Sequence, residues 1–150
     1  MPVINVTYPT GALNQESQAA VVAQLTDTLM EIEGTKGIAA IAAGTWLILH
    51  EAPTNTIAVG GKFAPGRYHV KIDMPVGTLD LPKKAELIRR VTDILLQIDS
   101  VATDISDAAQ RARIYCLINE IPDGGWGFAG ISITKEFTET RLRELKQARS

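Results

Sequence analysis

Cysteine is almost absent: Cys116 stands alone among 150 residues, and one thiol closes no disulfide within a chain. Its setting, IYCLI, reads as a small core residue, compatible with a reducing compartment. Long apolar runs are missing too. Residues 37–49, GIAAIAAGTWLIL, are the longest, too short and too broken by glycine to span a bilayer. The start has neither the basic nor the apolar region of a secretory signal, so the expectation is a soluble, cytoplasmic protein with no membrane partner. No basic run occurs, and 15 Lys plus Arg face 17 Asp plus Glu for a net charge of −2, which argues against a nucleic-acid partner. His50 and His69 lack metal-ligand spacing, and GTKG and VGGKFAPG lack that of a phosphate loop. These stretches read as turns.

What the sequence has is a repeat. YPTGAL, from Tyr8, lies over MPVGTL, from Met74, at a shift of 66 residues, and the same shift lays AQLTDTLMEIE over RRVTDILLQID. Later the shift is 69: WLILHEAPTNTIAVGG lies over YCLINEIPDGGWGFAG, so that Glu51 meets Glu120 and Gly61 meets Gly130. A hydrophobic content of 45% with 21% charged residues fits one globular domain over 1–150. Its repeat halves are 2–66 and 67–134, followed by a tail, 135–150.

Each half reads strand, helix, strand. VINVTY and HVKIDM alternate as strands do. Asn14 and Asp80 stand as N-caps of the helices, and Gly34 as the C-cap of the first. Stripes Val22, Leu25, Leu29, Ile32 and Ile88, Val91, Leu95, Ile98 predict faces packed on a sheet. Irregular stretches, 34–45 and 100–113, lead into the second strands, and helix-length crossovers make each half's strands parallel. The expectation is an α+β fold with a four-stranded sheet and two helices on one face. The other face is then open and calls for association. The tail, with Phe137, Leu142 and Leu145 in amphipathic spacing, reads as a short docked or fraying helix and not as a functional element.

Met-Pro opens the first strand. Proline is tolerated there because a strand's first N–H needs no partner. If Met1 is trimmed, however, Pro2 carries a free secondary amine able to take and return a proton.

Together, the Met-Pro start, the duplicated βαβ unit and the AVGG turn at 58–61 resemble the tautomerase superfamily, over roughly residues 2–133. That superfamily includes 4-oxalocrotonate tautomerase, macrophage migration inhibitory factor and cis-3-chloroacrylic acid dehalogenase; residues 12–35 look especially like the dehalogenase branch. The resemblance implies a homotrimer without metal or organic cofactor, acting on a small-molecule substrate, with Pro2 as the catalytic base. The repeat partner of Pro2 is Tyr68, an internal residue without an amine, so one site per chain is expected.

Against the family pattern, Ala12 and Thr78 stand where 4-oxalocrotonate tautomerase has an arginine, and Trp46 and Tyr115 where it has a second. The dehalogenase's helix histidine falls on Leu29, and its arginine segment reads MPVGTLDL. These losses argue against the hydrolytic activities. The remainder looks more like the inhibitory-factor branch. Tyr115 stands five before Glu120, Lys36 lies near the place of a carboxylate-binding lysine, and Trp126 takes the place of the pocket aromatic, with Ile57 as its duplicate. Arg113, two before Tyr115, is a second candidate cation, on the same face if the strand extends that far. Tyr115 and Trp126 also fit a core role, and Lys36 and Arg113 a solvated surface. The leading expectation is a cofactor-free tautomerase or isomerase acting on a small enol or α-keto acid. The alternatives are a non-catalytic trimeric binding protein of the same fold, another proline-dependent reaction (hydratase, decarboxylase or dehalogenase), or an unrelated ferredoxin-like ligand-binding domain.

Overall fold

The structure, a computed structural model, describes residues 1–99 and 105–148. The first half contains β1 (Val3–Pro9), α1 (Gln15–Glu33), α2 (Ala39–Gly44), β2 (Trp46–Ala52), β3 (Ala58–Val59) and β4 (Lys62–Phe63). The second contains β5 (Tyr68–Pro75), α3 (Leu81–Ile98), α4 (Asp107–Arg111), β6 (Ile114–Ile121), β7 (Trp126–Phe128) and β8 (Ile131–Ile133), and α5 (Lys135–Gln147) follows. Alternation sets the faces of the central strands: Ile4, Val6 and Tyr8 of β1 and Tyr68, Val70, Ile72 and Met74 of β5 are buried, while the residues between them are not.

The four-stranded sheet runs β2-β1-β5-β6. Each half contributes a parallel pair, β1 with β2 and β5 with β6, and the halves meet through antiparallel β1 and β5. Val3 lies opposite Asp73 and Thr7 opposite His69, so Asn5 faces Lys71, its own partner at the shift of 66. The pseudo-twofold axis of the duplication passes there. Because the central pair is antiparallel, the start of each half lies beside the end of the other half's first strand. That contact builds the site described below.

The two long helices cover one face as expected. Asn14 Oδ1 accepts from the Ser17 N–H at 2.8 Å and Asp80 Oδ1 from the Lys83 N–H at 2.9 Å, satisfying donors that a helix start leaves unpaired. Gly34 ends α1 at φ 71°, in the left-handed region. The buried stripes differ from expectation by one residue at the first turn. Val21, Leu25 and Leu29 pack inward in α1 and Leu87, Val91 and Leu95 in α3, whereas Val22 and Ile88 are 37% and 38% exposed. The buried positions keep a spacing of four in both helices, with Val21 and Leu87 repeat partners. Each such side chain contributes roughly 1.5–3 kcal/mol on full burial.

The duplicated acids have the same work. Glu51 Oε1 accepts from the Thr10 hydroxyl at 2.6 Å and from the Gly11 N–H at 3.3 Å. Glu120 accepts from the Gly77 N–H at 3.2 Å and pairs with Lys84 at 2.9 Å. Each ties the end of its half's second strand to the turn after the first.

The stretches read as irregular contain short helices, α2 and α4, the latter capped by the Ser106 hydroxyl; residues 100–104 lie outside the described residues. The tail forms the expected helix. Thr134 caps a 13-residue helix, and Phe137, Leu142 and Leu145 turn into a cavity. Among the described residues no helix is long and apolar enough to cross a membrane.

Candidate active site

The chain starts inside the fold. Pro2 is buried, and its carbonyl accepts from the Trp46 N–H at 3.1 Å, which aligns the first residues of β1 with β2. Met1 fills a space that Gly44 leaves: a Cβ at position 44 would run into the Met1 side chain. With Met1 attached, the Pro2 nitrogen is an amide. Without it, that nitrogen is the amino terminus and the space Met1 held opens beside it.

That space belongs to a cavity of about 450 Å3 lined by Met1, Glu33 and Thr35 on one side and by residues 75–78, at the end of β5, on another. Trp126, Phe128 and Ile131 of the β7–β8 hairpin form an apolar wall, and Phe137, Leu142 and Leu145 of α5 close over it. Burial lowers the pKa of the terminal amine, and the Glu33 carboxylate nearby opposes that shift only in part. Burial raises the pKa of Glu33, against the positive amine and a hydrogen bond that the Thr35 hydroxyl donates to Oε2 at 3.3 Å. Oε1 of Glu33 is buried without a hydrogen-bond partner. An amine and a carboxyl, both held toward their neutral forms in an apolar cleft, are suited to proton transfer.

Residues 69–136 match the sequence profile of the family described as Tautomerase, tautomerase enzyme. The match covers the second half of the chain and the start of α5. Its fold resembles a wild-type fused 4-OT solved as a symmetric trimer, with 20% identity and a TM-score of 0.70 over 87% of this chain and 94% of that one. It also resembles a member of the cis-3-chloroacrylic acid dehalogenase family, with 19% identity and a TM-score of 0.68 over 97% of this chain and 99% of that one. A macrophage migration inhibitory factor-like protein from Entamoeba histolytica shares 16% identity and a TM-score of 0.65 over 87% of this chain and 97% of that one. No curated protein sequence matches.

Within this tautomerase fold the duplication makes a second cavity, of about 400 Å3, lined by residues 9–12, Ile57, Gly66 and Arg113. Residues 9–12 are the repeat partners of 75–78, and Ile57 is that of Trp126. The chemistry is not repeated. At the shift of 66, Glu33 corresponds to Asp99 and Pro2 to Tyr68; at 69, Gly44 corresponds to Arg113. Arg113 donates to Asp99 at 2.6 Å and to the Gly66 carbonyl at 2.9 Å, with its side chain 5% exposed and that of Asp99 1%. Where the first half has a glycine and a chain start, the second has a guanidinium and an unbroken chain. The Tyr68 pKa is raised by burial and then by the Asp99 charge.

The structure brings the start of the chain and Trp126 together, and Ile57 with Arg113 in the other cavity. The remaining candidates stand apart. Lys36 pairs with Asp27 at 3.3 Å, over a groove between α1 and α3. Arg113 precedes β6 instead of extending it, so it turns inward while Tyr115 points out, 70% exposed on the open sheet face. Glu33 and Gly44 escaped the sequence reading, although the repeat marked both: an acid recurs at 33 and 99, and a glycine at 44 faces an arginine at 113. Among the described residues no group of three or more His, Cys, Asp or Glu is placed to hold a metal.

Proposed function

We propose that the chain is a cofactor-independent tautomerase or isomerase acting on a small enol or α-keto acid, with Pro2 as general base once Met1 is removed. One observation carries this reading: the amine of Met1, one residue before Pro2, lies desolvated at a largely apolar cavity that Met1, Glu33 and Trp126 all line. A free α-amino group titrates at roughly 7.7–8.0. Burial lowers the amine of Met1 from its ordinary value, and the same desolvation would act on an amine at Pro2, toward what proton abstraction beside a carbonyl requires. The base takes a proton from an enol oxygen or an α-carbon and returns it elsewhere on the conjugated system, while Trp126 and Phe128 hold the apolar part of the substrate.

The assembly proposed is a homotrimer. The face of the sheet away from the helices bears Trp46, Ile48, Tyr115 and Leu117, each at least 39% exposed, an apolar surface suited to other copies of the chain. The fused 4-OT relative was solved as a trimer. A lone, half-buried cysteine suits the cytoplasm, which is the location proposed. A non-catalytic binding protein is the second reading, favoured by the ion pairs that occupy Lys36 and Arg113.

The test compares chains with and without Met1. Purified native protein is expected to have a mass short by one methionine and to ketonise a small enol faster than the Met1-retaining form by a hundredfold or more. A native mass that includes methionine, or equal rates for the two forms, removes Pro2 from the chemistry and leaves the binding protein.

A further inference from the structure

We propose that Glu33 is the second proton-handling group of this cavity and that it selects an uncharged enolisable aldehyde or ketone over an α-keto acid. Glu33 has this part only if Pro2 is the base proposed above.

Three observations converge on it. Glu33 lines the cavity on the same side as the chain start. Its Oε1 is buried with no hydrogen-bond partner, an arrangement that costs stability and calls for a ligand group to fill it. Its other oxygen, Oε2, accepts from a neutral hydroxyl, that of Thr35. Burial, which raises its pKa, favours the protonated carboxyl, a donor aimed at a carbonyl oxygen.

The step balances. Pro2 nitrogen takes the α-proton, and the C–H electron pair becomes the C=C bond. The carbonyl π electrons then take the Glu33 proton to form the enol O–H. The proton on the amine passes to the Glu33 carboxylate, and both groups are restored. The reverse course ketonises an enol.

The walls define the substrate class. Apart from Glu33, the lining is mostly apolar, with Ile41, Val76, Trp126, Phe128, Ile131 and Ile133 prominent and the hydroxyls of Thr35 and Thr78 among them, and it suits a ring or a short alkyl chain. The other ionisable groups lining the cavity are the amino terminus, Lys135, Glu139 and Arg141. Lys135 is 3.8 Å from Glu139 and Arg141 is 3.2 Å from Glu144, all exposed along α5. A carboxylate carried inward would lose water beside another carboxyl group. A carboxylate held at the rim by Lys135 and Arg141 is the competing arrangement, and it predicts the opposite preference.

Phenylacetaldehyde and phenylpyruvate share a benzyl carbonyl and differ by one carboxylate, so they serve as probes. Exchange of their α-hydrogens in D2O is followed by NMR for the Met1-free protein, for the Met1-retaining chain and for Glu33→Gln. The aldehyde is expected to exchange faster. In Glu33→Gln its rate falls about a hundredfold, while that of the keto acid, which gains nothing from the carboxyl, falls less than tenfold. Glu33→Ala is expected to match Glu33→Gln, since it is the proton that is lost. Faster exchange of the keto acid, or equal effects of Glu33→Gln on both probes, overturns the selection by Glu33 and leaves Pro2 as base. Equal exchange with and without Met1 overturns the proline reading itself. The selection by Glu33 falls with it, since the carboxyl then has no amine to exchange its proton with.

Discussion

Arg113 closes on Asp99 at 2.6 Å in the part of the second half that corresponds to Gly44 and Glu33 in the first. The pair is buried on both sides. Removing one member leaves the other as a buried charge without its opposite charge, a loss of about 3–5 kcal/mol. Arg113→Met or Asp99→Leu alone is therefore expected to lower the urea midpoint strongly. The double variant, which leaves no stranded charge, recovers most of the loss. Equal losses in single and double variants would assign the stability to shape and not to charge.

Glu33 predicts a pH dependence whose sign follows from burial. Its folded pKa is raised above the ordinary 4.5, so the folded state holds the proton more tightly than the unfolded one. The stability this gives is fully present below about 4.5 and is lost as the pH rises through the folded value. The amine, lowered from 8.0 by burial, acts in the opposite sense, giving up stability as pH falls below its unfolded value. In Glu33→Gln only the first dependence disappears. Its urea midpoint is expected to exceed that of the parent at pH 7, and the difference to shrink as the pH approaches 4. No change in that difference between pH 4 and 7 would place the titration elsewhere.

The open sheet face predicts a change of assembly. Trp46 and Tyr115 project from its two edge strands, 56% and 70% exposed. Charges there stay solvated in a monomer and are stranded in an apolar contact. Trp46→Glu with Tyr115→Glu is expected to convert a trimer to monomers in light scattering, with the circular dichroism unchanged. A parent protein that is already monomeric would refute the proposed assembly.

Cys116 is expected to be inert. Burial pushes its thiol up to about 12, so almost none is thiolate at neutral pH. A thiol reagent at pH 8 is expected to label the native protein at least a hundredfold more slowly than the protein in urea. Fast native labelling would mean that β6 opens readily.

Much of the fold is legible in the repeat. The shift of 66 places both N-caps, both helix faces and the parallel pairs, because caps and periodic apolar faces are local signals. The helix faces were read one residue off at Val22 and Ile88 because a stripe of threes and fours fits two adjacent lines on a helix. The site is less legible. Trp126 is legible only through the resemblance, which puts it in the place of the family's pocket aromatic. Lys36 and Arg113 were read as candidate cations, but a residue's partner in space, Asp27 for one and Asp99 for the other, is not carried by its neighbours in sequence. Glu33 carries no signal of its own in the sequence; the chain start and the cavity beside it are what give it chemistry.

The antiparallel meeting of β1 and β5 has a consequence for how the two halves depend on each other. Each cleft takes one wall from the beginning of one half and another from the far end of the first strand of the other half. Neither half owns a pocket. A chain cut between Gly66 and Arg67 would yield two fragments that each carry mismatched walls, and only their reunion would restore either chamber. Joining the halves in one chain makes that reunion permanent, and it also makes the two chambers unequal, since a continuous polypeptide has only one beginning.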